Sequence, residues 1–170
     1  MNVKEAIRTR KSVRKYTDKP VEDEILNQIF ESARLAPSAN NMQEWRFVVV
    51  REAATRQKLA EIANNQVFIA EAGAVIVACA DTDEQYMPCG QQSYPIDAAI
   101  VLDHITLAAV ELGLGTCWVA SFEEKPVKKL LGIPEKIRIV AMMPLGYPAD
   151  GSPVEKNRLP IKQILKYERW

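Results

Sequence analysis

The stretch GAVIVAC at Gly73–Cys79 decides the fold. A strand with one face in water alternates apolar and polar residues, but this stretch is apolar almost throughout. Such a run is typical of a strand that is buried on both faces. Other elements must therefore pack above and below it, which predicts a layered protein.

Helix and strand patterns alternate on both sides of this stretch. Further strands are predicted at Trp45–Val50, Thr116–Ala120 and Ile137–Leu145. Helices are predicted near Val3–Arg10, Glu22–Leu35, Ala53–Ala63, Tyr94–Leu112 and Lys125–Leu131. The pattern predicts an α+β protein with α/β/α layers, in a single domain over residues 1–170.

The composition is that of an ordinary globular protein. Of the 170 residues, 48% are hydrophobic and 26% are charged, and 22 Lys and Arg balance 22 Asp and Glu. A chain without net charge gives no reason to expect nucleic acid or a membrane surface as its main partner.

Three cysteines without CxxC spacing and a single histidine argue against a disulfide framework or a metal site. The first ten residues hold no apolar run of signal-peptide length, so we expect a cytoplasmic protein.

Two basic clusters lie near opposite ends of the chain. Arg10–Arg14 places three cations and a hydroxyl within five residues, a combination that suits a phosphate group. Lys156–Pro160 adds two further cations. Each cluster could equally be a solvated basic surface. If the two ends meet in the fold, they would hold a phosphate dianion from two sides.

Four further features can be interpreted from their context. The loop Pro37–Gln43 carries short polar side chains that either make local turns or donate hydrogen bonds to the edge of a heterocycle. Gly113–Thr116 follows a helix and enters a strand, the reverse of a dinucleotide-binding loop, so we interpret it as a helix stop.

His104 has no partner motif for a catalytic triad and is interpreted as structural. The tail Tyr147–Trp170 carries apolar residues but has no core of its own, so a second subunit is the simplest surface for it to wrap.

The sequence offers phosphate ligands and amide donors but no acid–base or nucleophilic machinery. No GxSxG, HExxH or Walker motif is present, and Cys117 has no basic neighbour in sequence that would make it a thiolate. This combination fits a protein whose chemistry belongs to a bound cofactor.

Five segments together resemble the nitroreductase family of FMN enzymes. They are, in chain order, RxRKSVRKY (8–16), ARLAPSANNMQEWRFVVV (33–50), FIAEAGAVIVAC (68–79), LAAVELGLGTCWVASF (107–122) and KNRLP (156–160). Each is weak alone, but five in order at ordinary spacing are specific. The resemblance implies a central mixed sheet flanked by helices, in an intimate homodimer with an exchanged C-terminal tail and FMN at the subunit interface.

The resemblance also implies which residues bind the cofactor. The FMN phosphate would be held by Arg10, Ser12, Lys156 and Arg158, with Lys11 nearby. The pyrimidine end of the isoalloxazine ring would be approached by Arg14. The other subunit would contribute Pro37, Ser38, Ala39 and Asn41. The ring would be lined by Trp118, Val119, Ala120 and Ser121, with a backbone amide near Ala120 or Ser121 facing flavin N5.

Two positions depart from the family pattern. Many members have proline where this chain has Glu44, from which we expect little effect. Some members place a lysine close to the ring in the segment that matches Asn64–Gly73, where this chain has no cation and Gln66 is the nearest polar candidate. The positive charge beside the ring would therefore come mainly from Arg14.

The implied activity is hydride transfer from NAD(P)H, by way of flavin N5, to an electron acceptor such as a nitroaromatic or a quinone. No side chain of the protein need act as an acid or base. One alternative is a non-enzymatic module that binds flavin or another small molecule. A second is an acyl-CoA-dependent acetyltransferase, whose glycine turn should lie between a strand and a helix, unlike the turn at Gly113.

Overall fold

The computed structural model describes residues 1–151 and 155–170. Its strands form one sheet in the order β1-β2-β4-β3, where β1 is Trp45–Val50, β2 is Ala74–Ala80, β3 is Gly115–Thr116 and β4 is Arg138–Gly146. All neighbouring strands pair antiparallel. The four strands therefore form an antiparallel sheet rather than the mixed sheet that the resemblance implies, and an isolated parallel bridge joins Ser12 to Thr116 at its edge.

Helices lie on both faces of the sheet. They are α1 Val3–Thr9, α2 Asp23–Arg34, α3 Ala53–Ile62, α4 Phe68–Glu71, α5 Ser93–Glu111, α6 Glu124–Leu131 and α7 Ile161–Ile164. The short helices α4 and α7 and a 3-10 turn at Ala39–Asn41 were not predicted. Each has at most four residues, too few for a periodic pattern to be visible. The other predicted bounds, apart from one strand, lie within one residue of the observed ones.

The central strand β2 explains the layers. All of its residues are buried, and successive side chains point to opposite faces. Ile76 and Ala78 belong to one hydrophobic cluster with residues of α2 and α5. Val75, Val77 and Cys79 belong to a second cluster with residues of α3, α4 and α6. The predicted strand buried on both faces and the α/β/α layers are therefore confirmed.

The strand predicted at Thr116–Ala120 is interrupted after β3. Val119 pairs with Met142 in the register that β3 sets with the end of β4. Between these points Cys117 N–H donates to Pro144 O at 3.3 Å, but proline has no N–H to return the bond. A proline in the partner strand therefore breaks the ladder, and the pattern of residues 116–120 cannot reveal it.

The tail has no core of its own within one chain, as expected. Trp170 is fully exposed and the other large apolar residues after Pro160 are exposed as well. By length and composition, α5 is one described helix that could cross a membrane. Half of that helix window is buried inside the protein, as in the core helix of a globular fold.

We expect Gly115→Ala to destabilise the protein. A Cβ at this position would lie 2.8 Å from Val13 Cβ and 3.1 Å from Pro148 Cγ, so the N-terminal segment would have to move away from β3. Overpacking of this kind costs about 1–3 kcal/mol in the free energy of unfolding. Urea denaturation measures this difference.

The control is Gly151→Ala, because a Cβ at Gly151 meets no atom of the described residues within 4 Å. If the two variants were equally stable, the N-terminal segment would not pack against β3 as described.

Candidate functional site

The basic segment after α1 runs along the edge of the sheet. Val13 N–H donates to Thr116 O at 2.9 Å, and Thr17 N–H donates to Tyr147 O at 2.9 Å. Tyr16 is buried in this segment, and its hydroxyl donates to Val13 O at 2.8 Å. Burial raises the pKa of the Tyr16 hydroxyl well above its ordinary value, so the hydroxyl remains a donor. These contacts fix the backbone that carries the predicted phosphate ligands.

The tail brings the second basic cluster to the first. Lys156 Nζ donates to Ile7 O near the end of α1. Loss of hydration and the charges of Arg10 and Arg158 lower the pKa of Lys156. Lys156 thus lies within electrostatic reach of both Arg10 and Arg158, an arrangement that repulsion disfavours and that a phosphate dianion would stabilise.

A cleft of about 200 Å³ lies between the basic segment, β3 and α5. Its lining includes three predicted cofactor residues, Arg10, Ser12 and Trp118. The other walls are formed by Ala99, Asp103, Thr106 and Thr116. The wall from α5 was not predicted, because its residues carry no motif and face the basic segment only after folding.

The turn Trp118–Ser121 borders the cleft. Val119 is buried and exchanges two backbone hydrogen bonds of 2.9 Å with Met142. Ala120 and Ser121 are exposed, and no acceptor within residues 1–151 and 155–170 receives either N–H. The core therefore anchors the turn at Val119, while two amide donors remain available at the surface.

Two amide side chains reach this turn from the connection between α3 and α4. Asn64 Nδ2 donates to Ser121 Oγ at 2.9 Å and to Ser121 O at 3.3 Å. Gln66 Nε2 donates to Ser121 O at 3.4 Å and to Ala63 O at 2.9 Å. Gln66 therefore lies beside the other predicted ring residues. Asn64 was not predicted, since no local signal links it to Ser121.

Arg14 lies in a neighbouring groove rather than in the cleft. Its guanidinium carbon is 5.9 Å from the centroid of the Phe68 ring, and Lys15 lines the same groove. Burial raises the pKa of the Cys117 thiol, and the charge of Arg14 offsets this only in part. Arg14 thus places positive charge beside the turn, and Cys117 remains a thiol, as the sequence indicates.

The loop Pro37–Asn41 does not line the cleft in the described part of the chain. It is anchored by Asp97, a buried carboxylate of α5 whose two oxygens each accept Ala39 N–H at 3.1 Å. Asn40 and Asn41 have positive φ angles of 49° and 57°, which asparagine tolerates better than most residues. Asp97 is a positioning residue that the sequence analysis missed, because its partner lies in a distant loop.

Other titratable groups have structural surroundings. His104 Nδ1 lies 3.3 Å from Ser32 O, between α5 and α2, which fits the structural interpretation. Glu44 is buried, and its carboxylate accepts the Ser93 hydroxyl at 3.5 Å. In the described parts of the chain, no group of three His, Cys, Asp or Glu residues could hold a metal ion.

Known proteins resemble this chain over most of its length. The sequence model of the Nitroreductase family matches residues 7–93 and 63–147. A protein of Archaeoglobus fulgidus, provisionally named NADH dehydrogenase/NAD(P)H nitroreductase, is 38% identical over 148 residues, which are 85% of this chain and 84% of that protein. The NAD(P)H-dependent FMN reductase of Bacillus subtilis is 31% identical over 177 residues, 94% of this chain and 71% of the relative.

A solved structure has the same fold. The NADPH:FMN oxidoreductase of Vibrio harveyi, determined in complex with NAD+, matches with a TM-score of 0.88 at 26% identity, over 98% of this chain and 76% of that one. The family match includes the N-terminal cations, the loop at residues 37–41 and the turn at 118–121. The chain therefore belongs to the nitroreductase family.

Proposed function

We propose that this protein is an NAD(P)H-dependent FMN oxidoreductase that reduces an acceptor such as a nitroaromatic or a quinone, at a site shared by two copies of the chain. The observation that carries the proposal is that the tail brings Lys156 to the end of α1, within electrostatic reach of Arg10, which lines a cleft together with Ser12 and Trp118. The turn that begins at Trp118 offers two backbone amides that have no acceptor among the described residues. The names of two relatives, an FMN reductase and an NADPH:FMN oxidoreductase, support the same activity.

The residues present fit FMN. Its phosphate requires several cations and a hydroxyl, and the converging cations and Ser12 offer both. Lys11 lies next to this group and donates to Asp150 O at 3.2 Å. A flat ring requires an apolar wall and polar groups along its edge. Trp118, which is 43% exposed, and the free amides of the turn Trp118–Ser121 offer these.

In this proposal the protein binds and orients, without acting as an acid or base. Bound FMN supplies hydride transfer at N5 between NAD(P)H and the acceptor. A backbone amide at Ala120 or Ser121 would donate to N5, and Arg14 would hold a positive charge near the pyrimidine end of the ring. Neither Tyr16 nor Cys117 is suited to release a proton, because burial raises the pKa of both groups.

A second copy of the chain completes the proposed site. The loop Pro37–Asn41 does not line the cleft of its own chain and would reach the cofactor of the partner. Exposed apolar residues extend over the tail, α1 and α5; they include Val3, Ile7, Ile96, Ile161, Ile164, Tyr167 and Trp170. Burying them in a dimer would give an obligate interface on the order of 2,000 Å² or more.

We also propose a cytoplasmic location. Cys79, Cys89 and Cys117 are free thiols, consistent with a reducing compartment.

The acetyltransferase alternative finds no support, because the glycine turn follows α5 and enters β3.

The absorption spectrum of the purified protein and anaerobic NADH and NADPH oxidation test the proposal. A yellow protein with one FMN per chain that oxidises either nucleotide when an acceptor is added would support it. A yellow protein without this activity would indicate a flavin-binding module. A colourless protein that takes up no added FMN would overturn the proposal.

We expect Arg158→Ala to weaken FMN binding more than Lys162→Ala. Arg158 is close enough to lower the pKa of Lys156, whereas Lys162 lies in the exposed helix α7. Loss of a charge-assisted hydrogen bond to phosphate costs about 1.5–3 kcal/mol of binding free energy. Fluorescence titration of the apoproteins with FMN measures the difference, and equal dissociation constants would remove Arg158 from the site.

We expect Arg14→Gln to lower the two-electron reduction potential of bound FMN. A cation near the pyrimidine end stabilises the negative charge of the reduced flavin, and loss of about 1.4 kcal/mol of this stabilisation corresponds to roughly 30 mV. Arg14→Lys should recover part of the lost reduction potential, because lysine keeps the positive charge but lacks the planar guanidinium group. Redox titration of FMN-saturated proteins gives the potentials.

Lys15→Gln is the matched control for Arg14, since it removes an adjacent cation from the same groove. Potentials that are equal in the wild type and in Arg14→Gln would show that Arg14 is not beside the ring.

We expect Ile164→Glu to shift the protein from dimer to monomer in sedimentation velocity. Ile164 is a 63% exposed apolar residue of α7, and the proposed dimer buries it. Lys162→Glu introduces the same side chain into the same helix without removing apolar surface, so it should remain dimeric. A wild-type protein that is a stable, FMN-loaded monomer would contradict the proposed dimer.

A further inference from the structure

The connection between α3 and α4 contains an unusual pair of residues. Asn64 and Asn65 both have a φ of 58°. A helix commonly ends with one residue in the left-handed conformation, which accounts for Asn64 after α3. It does not account for Asn65, the next residue, which has the same φ. Residues other than glycine occupy this region at an energetic cost and remain there when surrounding contacts hold them. We therefore expect specific contacts to hold this turn in its conformation.

The side chains of the turn converge on one distant residue. Asn64 donates to both Ser121 Oγ and Ser121 O, and Gln66 donates to Ser121 O. Within residues 1–151 and 155–170, these are the hydrogen bonds that Ser121 makes. The conformation of the α3–α4 connection is thus coupled directly to the position of Ser121.

Ser121 needs such an anchor because the sheet holds the turn at one end only. Val119 exchanges two backbone hydrogen bonds with Met142, but Ala120 and Ser121 make no backbone–backbone hydrogen bonds in the described part of the chain. Phe122, the next residue, packs against the second hydrophobic cluster, but no backbone–backbone hydrogen bond among the described residues fixes the orientation of the two peptide groups between Val119 and Phe122. The side-chain bonds from Asn64 and Gln66 to Ser121 restrict that orientation.

We propose that Asn64 is a positioning residue for the reaction. By holding Ser121, it fixes the amides of Ala120 and Ser121 in the orientation in which one of them donates to flavin N5. This inference rests on the proposed function. Gln66 shares one acceptor, Ser121 O, but Asn64 alone reaches Ser121 Oγ among the described residues. Asn64 is therefore the residue to change.

The experiment compares Asn64→Gly with Asn65→Gly. Both variants place glycine at a φ of 58°, where glycine has no steric penalty, so both should fold and gain similar backbone freedom. Only Asn64→Gly removes the bonds to Ser121, since the described structure gives the Asn65 side chain no hydrogen bond. Asn65→Gly is therefore a matched control.

The first measurement is the 15N chemical shift of N5 in bound, isotopically labelled FMN, which reports the hydrogen bond at this atom. We expect the N5 resonance to move and broaden in Asn64→Gly and to keep its wild-type position in Asn65→Gly. The FMN dissociation constants of both variants should remain within about threefold of the wild type, because the phosphate is held by a separate cluster.

Kinetics separate orientation from binding. In Asn64→Gly we expect kcat with a nitroaromatic acceptor to fall about tenfold while the KM for the nicotinamide nucleotide changes little, since a small misplacement affects the reacting geometry more than the encounter. Asn65→Gly should keep both constants.

Two outcomes would overturn the inference, and they can be told apart. If the wild type binds FMN and the two variants have the same N5 shift and the same kcat, Asn64 does not position the amides. If the wild type does not bind FMN, the proposed function fails and this inference fails with it.

Discussion

The backbone of β2 lies between two apolar layers, so its N–H and C=O groups have to find partners within the sheet. Antiparallel pairing with β1 on one side and β4 on the other supplies them, with a shift in the β2–β4 register between Ala78 and Cys79. β4 pairs with β2 up to Leu145 and with β3 at Gly146, where the strand ends and the tail begins. The next residues, Tyr147 to Ala149, pair with the basic segment at Lys15 to Thr17. The hydrogen bonds of the core thus determine that the two ends of the chain meet.

The meeting of the ends creates the electrostatic character of the site. Arg10 and Arg158 both repel Lys156, and the bond from Lys156 to Ile7 O helps to hold the tail against this repulsion. A folded state that keeps like charges together is suited to an anionic ligand, because binding of the anion offsets the electrostatic repulsion between the cations. The amide donors of the turn at residues 118–121 lie close by, since the same β4 that starts the tail also anchors Val119. One strand therefore positions both ends of the proposed cofactor site.

Local patterns predicted most of the fold because they record burial directly. The run at Gly73–Cys79 and the apolar face of Ile25, Leu26 and Ile29 show which sides of an element avoid water, and the structure buries or half-buries these residues. The interruption at Cys117 depends on Pro144, a residue of another strand, and so lies outside any local window. The roles of Asp97 and Asn64 escaped prediction for the same reason, because each is defined by a partner far away in the chain.

The sequence by itself determined the layers, the order of helices and strands, the presence of two basic clusters and the family resemblance. These properties follow from the residue types and their spacing, which are fixed before the chain folds. The tertiary structure alone decided that the clusters meet, that Arg14 occupies a separate groove with Phe68, and that the loop at residues 37–41 does not line the described cleft of its own chain. Such relations depend on strand register and on hydrogen bonds between distant segments. No side chain carries that information alone, because each bond requires two groups that only folding brings together.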